Sequence, residues 1–148
     1  MIPKIVKLTN PPLLKAAHQL TAKGRLAISQ NKLVYLDIDD DYIHQLFPAL
    51  KNQSIQKPNY FGEKSIGAHI TVIYPEEQKI IKQIEFNQEH LFSIKELVTA
   101  EIGQKLYYVL LVESFSLLQL RKKYKLPNLL CFRGYSIGFH ITIGTAYK

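Results

Sequence analysis

The chain has 148 residues, 47% hydrophobic and 21% charged, and its nineteen Lys and Arg outnumber twelve Asp and Glu for a formal net charge of +7. That profile excludes a disordered tail, suits one domain spanning 1–148 with its own core, and favours anionic partners such as phosphates or RNA. A single cysteine, Cys131, excludes an intrachain disulfide and a thiolate-type zinc site, and the longest strongly apolar run, YYVLLV, is far too short to span a bilayer.

The N-terminal stretch holds no apolar core long enough for a signal peptide, so a cytoplasmic protein without membrane attachment is expected. Leu13, Leu14, Ala17 and Leu20 recur at helical spacing after Pro11 and Pro12, and Gly24 reads as the stop. Gln30-Asn31 reads as a turn before a mostly buried strand through Leu33–Ile38. Asp39 to Asp41 suit the N-terminus of a helix through DDYIHQLFPAL, which Pro48 ends or kinks. Residues 51–65 are polar and read as a loop, GAHITVIY as a strand stopped by Pro75, and EEQKIIKQIE as a short amphipathic helix. LFSIKELVTAEI and KLYYVLLVE read as two strands joined near Gly103. Ser114 can cap a helix that buries Leu117, Leu118 and Leu120, and SIGFHITIGTAY reads as the last strand. Arg121, Lys122, Lys123 and Lys125 are either a solvated helix face or a phosphate-binding cluster. Cys131, in LPNLLCF, reads as inert buried packing. Helices and strands alternate throughout, which points to an α+β fold.

One phrase occurs twice, half a chain apart: SIGAHITV at 65–72 and SIGFHITI at 136–143. On a strand, His69 and Thr71 share one face while Ile70 and Val72 share the other, and the same holds for His140 and Thr142 against Ile141 and Ile143. Glycine weakens a strand, so its double occurrence suggests close approach of a ligand or backbone at Gly67 and Gly138. Two lobes related by a pseudo-twofold axis would bring two imidazoles and two hydroxyls to one centre. One neutral imidazole can take a proton from water or a hydroxyl, the protonated one can give a proton to a leaving oxygen, and the hydroxyls can donate to phosphate oxygens. A zinc site built on the two histidines would need further ligands that no H-E-x-x-H motif or Cys pair supplies. His18, His44 and His90 have no repeated frame and read as structural or exposed.

The two H-x-T motifs, one in each half of a chain of this length, resemble the 2H phosphoesterase superfamily. The phrases KLVYLDIDDDYIHQLFP, IGAHITVIYP and FHITIG are most similar to its RNA-repair-associated Swiss Army Knife branch, and the likeness runs from Lys32 to the end. The resemblance implies a bilobal fold, two pseudo-twofold lobes with antiparallel sheets around a central cleft and helices outside. It implies catalytic roles for His69 and His140 and phosphate-binding roles for Thr71 and Thr142. The function it implies is metal- and cofactor-free cleavage of a cyclic phosphate or phosphodiester, acting as a monomer on RNA ends or small cyclic nucleotides. The alternative is a binding protein for RNA or nucleotides on the same fold, without turnover. Arg133 and Tyr135, just before the second motif, and Tyr60 and Phe61, before the first, are candidate substrate contacts, because Arg holds phosphate and aromatics stack on bases. Of the adjacent Tyr107 and Tyr108, one faces the cleft and the other the core.

Overall fold

Ten strands and three short helices make up the computed structural model, which describes residues 1–148. In chain order they are β1 (Lys4–Lys7), α1 (Pro11–His18), β2 (Lys23–Ile28), β3 (Val34–Asp37), α2 (Asp41–His44), β4 (His69–Ile73) and β5 (Glu89–Leu91), followed by β6 (Ser93–Ile102), β7 (Lys105–Glu113), α3 (Phe115–Lys123), β8 (Leu130–Phe132), β9 (Tyr135–Ile137) and β10 (His140–Tyr147). The fold is α+β with a large antiparallel sheet and few helices. Eight strands form that sheet in the order β1-β6-β7-β10-β4-β3-β2-β5, while β8 and β9 make a separate hairpin. The sheet is continuous, where the sequence suggested separate sheets in two lobes. The strands carrying the two HIT triplets lie side by side at its centre, with three further strands on each flank.

Period-two alternation explains how the sheet packs. Leu97, Leu110, Ile141, Ile70, Leu36 and Leu26 are successive cross-strand partners from β6 to β2, and all are buried. This aliphatic row belongs to a core that includes Leu13 and Ala17 of α1, Tyr42 and Ile43 of α2, and Leu117 and Leu120 of α3. Local signals set the helix starts. The Asn10 side chain accepts from Leu13 N at 3.2 Å at the head of α1, and Ser114 Oγ accepts from Leu117 N at 3.3 Å at the head of α3.

Several elements differ from the sequence expectation. Gly24 does not stop α1; it lies within β2, pressed so closely on the Asp37 carbonyl of β3 that a Cβ would collide with it. The expected helix over EEQKIIKQIE is two 3-10 turns, Pro75–Glu77 and Gln83–Glu85. Its apolar stripe has too little to pack on, since Ile80 is 94% and Ile84 72% exposed, and a helix this short needs packing to form. The repeated octapeptides are not strands throughout, because β4 and β10 begin at the histidines and Gly67 has φ +73°. Cys131 is exposed rather than buried. No helix is long and apolar enough to cross a membrane.

The basic cluster on α3 divides. Arg121 is fully buried and spends all five of its N–H donors: Nε on Pro127 O at 2.9 Å, Nη1 on Val72 O at 2.8 Å and Glu77 Oε1 at 3.1 Å, and Nη2 on Glu77 Oε2 at 2.7 Å and Leu129 O at 2.9 Å. Arg121 therefore belongs neither to a solvated face nor to a phosphate site. It ties α3 to the end of β4 and to the chain entering β8. Glu77 Oε1 also accepts from Tyr74 N at 2.9 Å. Arg121→Met strands the Glu77 carboxylate and three carbonyls, and is expected to cost about 3–5 kcal/mol in urea unfolding. A loss below about 1 kcal/mol, the scale of an exposed ion pair, would contradict this role.

Candidate active site

The two HIT strands meet in one antiparallel register, Ile141 against Ile70. Extending that register by one residue each way sets His140 opposite Thr71 and Thr142 opposite His69. Burial of the isoleucines on the helix side leaves both histidines and both threonines on the other face, where they line one cavity of about 430 Å³. The polypeptide from Gln56 to Tyr60, together with Ile66, walls it on one side; Phe132 and Ile137 of the β8–β9 hairpin contribute as well. Gln56 and Thr145 bond each other's backbone in both directions, at 2.7 and 2.9 Å, which fixes this wall to β10 beyond its pairing with β4.

Both imidazoles are held the same way. His69 Nδ1 lies 2.8 Å from the Gly67 carbonyl, and His140 Nδ1 lies 2.8 Å from the Gly138 carbonyl. An imidazole that donates through Nδ1 keeps Nε2 for the cavity, as an acceptor when neutral and a donor when charged. The glycine carbonyls of the two phrases thus accept from the histidines and orient the rings. At Gly67 the close approach is by a side chain rather than a ligand. A Cβ there would sit 2.5 Å from Asp40 Oδ1, and that oxygen accepts from Ala68 N at 2.9 Å.

Burial lowers the pKa of His69, with the Gly67 bond opposing. Burial also lowers that of His140, again opposed by its carbonyl, and the charge of His69 lowers it further. The two rings therefore sense each other, and a state with both protonated is disfavoured. The lining includes Lys57 and Lys105 but no carboxylate, so the field inside favours an anion.

Aromatic rings complete the enclosure. Tyr60 packs against His69 with centroids 4.7 Å apart, and Tyr35 meets the same ring edge-on at 5.8 Å. Burial raises the phenols of Tyr60 and Tyr74, with the nearby hydroxyls of Thr142 and Thr71 respectively acting the other way. Each threonine hydroxyl thus has a tyrosine beside it.

Of the sequence candidates, His69, His140, Thr71, Thr142 and Tyr60 come together in the cavity, and Tyr107 is the tyrosine of its pair that lines it. Phe61 does not; it packs on His44 at 4.5 Å beneath Lys57. Arg133 and Tyr135 are also outside it. The strand breaks between β9 and β10, which puts Arg133 at the tip of the β8–β9 hairpin with φ +50°, its amide donating to Glu76 Oε1 at 2.7 Å and its guanidinium over Phe132. Tyr74, Lys57, Lys105 and Thr145 line the cavity without having been singled out as strong contacts. Lys105 shares strand parity with Tyr107 and was there to be found. Thr145 was hidden, because a bulge between Thr142 and Gly144 shifts the alternation and turns Thr145, not Gly144, to the cavity.

The family model for the Swiss Army Knife 2H phosphoesterase domain matches residues 34–148. The chain belongs to that family. Comparison with curated proteins gives no match, and neither does comparison with solved structures. The match supports a phosphoester hydrolase, and it covers both HIT strands of this 2H phosphoesterase domain as well as the hairpin between them and the cavity wall.

Nitrogen NMR of the imidazoles should find His69 and His140 titrating below the ordinary histidine value of about 6.5. Because the unfolded chain then binds more protons, these two groups make stability fall as pH drops from about 6.5 through the folded values. In His69→Ala the His140 step is expected to move up; a downward move, or a His140 value above the ordinary one, would contradict the shared site.

Proposed function

We propose that this 2H phosphoesterase domain hydrolyses a cyclic phosphate or phosphodiester on RNA ends or small nucleotides, without a metal ion, with His69 and His140 as general acid and base. One observation carries the reading: two imidazoles, each anchored through Nδ1 to a glycine carbonyl, share a carboxylate-free cavity with two threonine hydroxyls. The halves of the sheet flanking the β4–β10 seam are read as pseudo-twofold partners around this cleft, each giving one histidine and one threonine.

The chemistry follows from that set. With a 2′,3′-cyclic phosphate in the cavity, the neutral imidazole takes a proton from water as its oxygen bonds to phosphorus. The protonated imidazole gives its proton to the departing sugar oxygen as the P–O bond breaks. The product is a phosphomonoester, and solvent exchange returns the imidazoles to their starting states. Thr71 and Thr142 donate to the non-bridging oxygens, where charge grows in the transition state, and Lys57 and Lys105 supply a positive field. The depressed pKa values suit the neutral base of this cycle, and the negative charge of a bound phosphate is what favours a proton on the other imidazole.

The test is turnover of 2′,3′-cyclic nucleotides and cyclic-ended RNA oligomers in excess EDTA. His69→Ala and His140→Ala are each expected to lower kcat by about 10²–10⁴-fold, and Thr71→Val or Thr142→Val by about 10²–10³-fold. Activity that survives either histidine change, or that EDTA abolishes, would overturn the mechanism. Ligand binding without turnover of any substrate would favour a binding protein instead.

A further inference from the structure

We infer that the substrate is the end of an oligonucleotide rather than a free mononucleotide, and that the chain beyond the terminal residue lies in a second concavity beside His69. The inference rests on the phosphoesterase reading of the histidine cavity. At about 430 Å³ that cavity is near the lower end of the roughly 300–1,000 Å³ of small-molecule sites, so it suits one nucleotide. A second concavity of about 630 Å³ adjoins it, and the two share Leu33, Asn59, Tyr60 and Ile66 as a common rim. A ligand that fills the first therefore has a way on into the second.

The lining of the second concavity suits a nucleic-acid strand. Gln30 and Asn31 come from the β2–β3 turn, Lys64 and Ser65 from the segment before β4, and Tyr35 from β3. None of its lining residues is acidic. The side chains of Gln30, Asn59, Lys64 and Ser65 make no hydrogen bond or ion pair within the protein, so their donors are free for phosphate and sugar oxygens. Tyr60, packed on His69, belongs to the shared rim, and Tyr35, edge-on to the same ring, lines the second concavity beside it, so aromatic rings stand along the path of a base.

The neighbouring surface narrows the choice of path. A third concavity also begins at Tyr60, Ser65 and Ile66, but Asp37 and Asp40 line it. Burial, and after it the charge of Asp40, raises the Asp37 carboxyl. A polyanion is repelled from that side of the 59–66 segment and accepted on the Lys64 side. The concavity next to His140, which shares Ile137 with the histidine cavity, is smaller, about 200 Å³, and mostly apolar, so the two ends of the repeated site differ.

The experiment compares 2′,3′-cyclic AMP with a tri-adenylate ending in the same cyclic phosphate. For the wild-type chain, kcat/KM is expected to be about tenfold higher for the trinucleotide, through KM, and to fall toward the mononucleotide value between about 50 and about 200 mM salt. Lys64→Glu combined with Gln30→Ala should bring the ratio of the two values down at least about fivefold, with circular dichroism confirming the fold. Equal kcat/KM values in the wild type, or a preference the double variant leaves intact, would overturn the inference while leaving the phosphoesterase reading standing. Failure to turn over either compound removes that reading instead. Anisotropy of a fluorescein-labelled trinucleotide 3′-phosphate, competed by the single nucleotide 3′-phosphate, then decides: length-dependent binding weakened by Lys64→Glu upholds the second concavity, and equal affinities overturn it.

Discussion

The seam between β4 and β10 is the constraint on which the site depends. Ile70 and Ile141 face each other across it, in the middle of an aliphatic row that crosses six strands from Leu97 to Leu26. Each such side chain is worth about 1.5–3 kcal/mol when fully buried. A slip of one residue in either strand would turn that strand's isoleucines to the cavity and its histidine and threonine to the core, losing the burial and stranding polar groups. Hydrophobic packing on the helix side therefore fixes chemistry on the other side. The same register crosses the pairs, so that each histidine stands beside the other motif's threonine.

Charge is divided between holding the fold and shaping the cavity. Arg121 is consumed inside, by Glu77 and three carbonyls, and its partners lie on the segments that end β4 and lead into β8. Tyr74 hangs from the same carboxylate through its backbone amide and packs on Phe132 of the hairpin at 4.9 Å. The ion pair is thus a brace behind the aromatic wall, and its cost in desolvation is offset by complete satisfaction of its donors. Lys57 and Lys105 remain at the cavity, unopposed there by any carboxylate. The net positive charge of the sequence is therefore not a uniform coat. Its functional part is a few cations where an anion would sit.

What the sequence made legible follows from locality. The β6–β7 hairpin, α3 with its Ser114 cap, and the two HIT strands carry their signals in adjacent residues, and the repeat marked both histidines and both threonines. The features that were not legible depend on partners far along the chain. Arg121 looks like one more basic residue on a helix face until Val72 and Glu77 arrive from more than forty positions away. The EEQKIIKQIE segment has a helical pattern but is given too little surface to pack on, so Ile81 is buried while Ile80 and Ile84 stay in water. Arg133 and Tyr135 precede the second motif in sequence, yet they belong to a hairpin whose Phe132 and Ile137 line the cavity in their place. Thr145 needed a bulge that no local residue type announces. Gly67 shows a subtler case. Its strain and crowding were a real signal, but of Asp40 and a histidine-orienting carbonyl rather than of a ligand.

The central claim is that two coupled imidazoles, one neutral and one protonated, act on one phosphate. Its most direct test is the dependence of kcat/KM on pH for an RNA with a 2′,3′-cyclic end. The expected result is a bell whose two apparent pKa values belong to the histidine pair, with the lower one below the ordinary histidine value of about 6.5. A rate that rises to a plateau through the same range, with no fall at higher pH, would mean that a single base suffices and would contradict the paired mechanism.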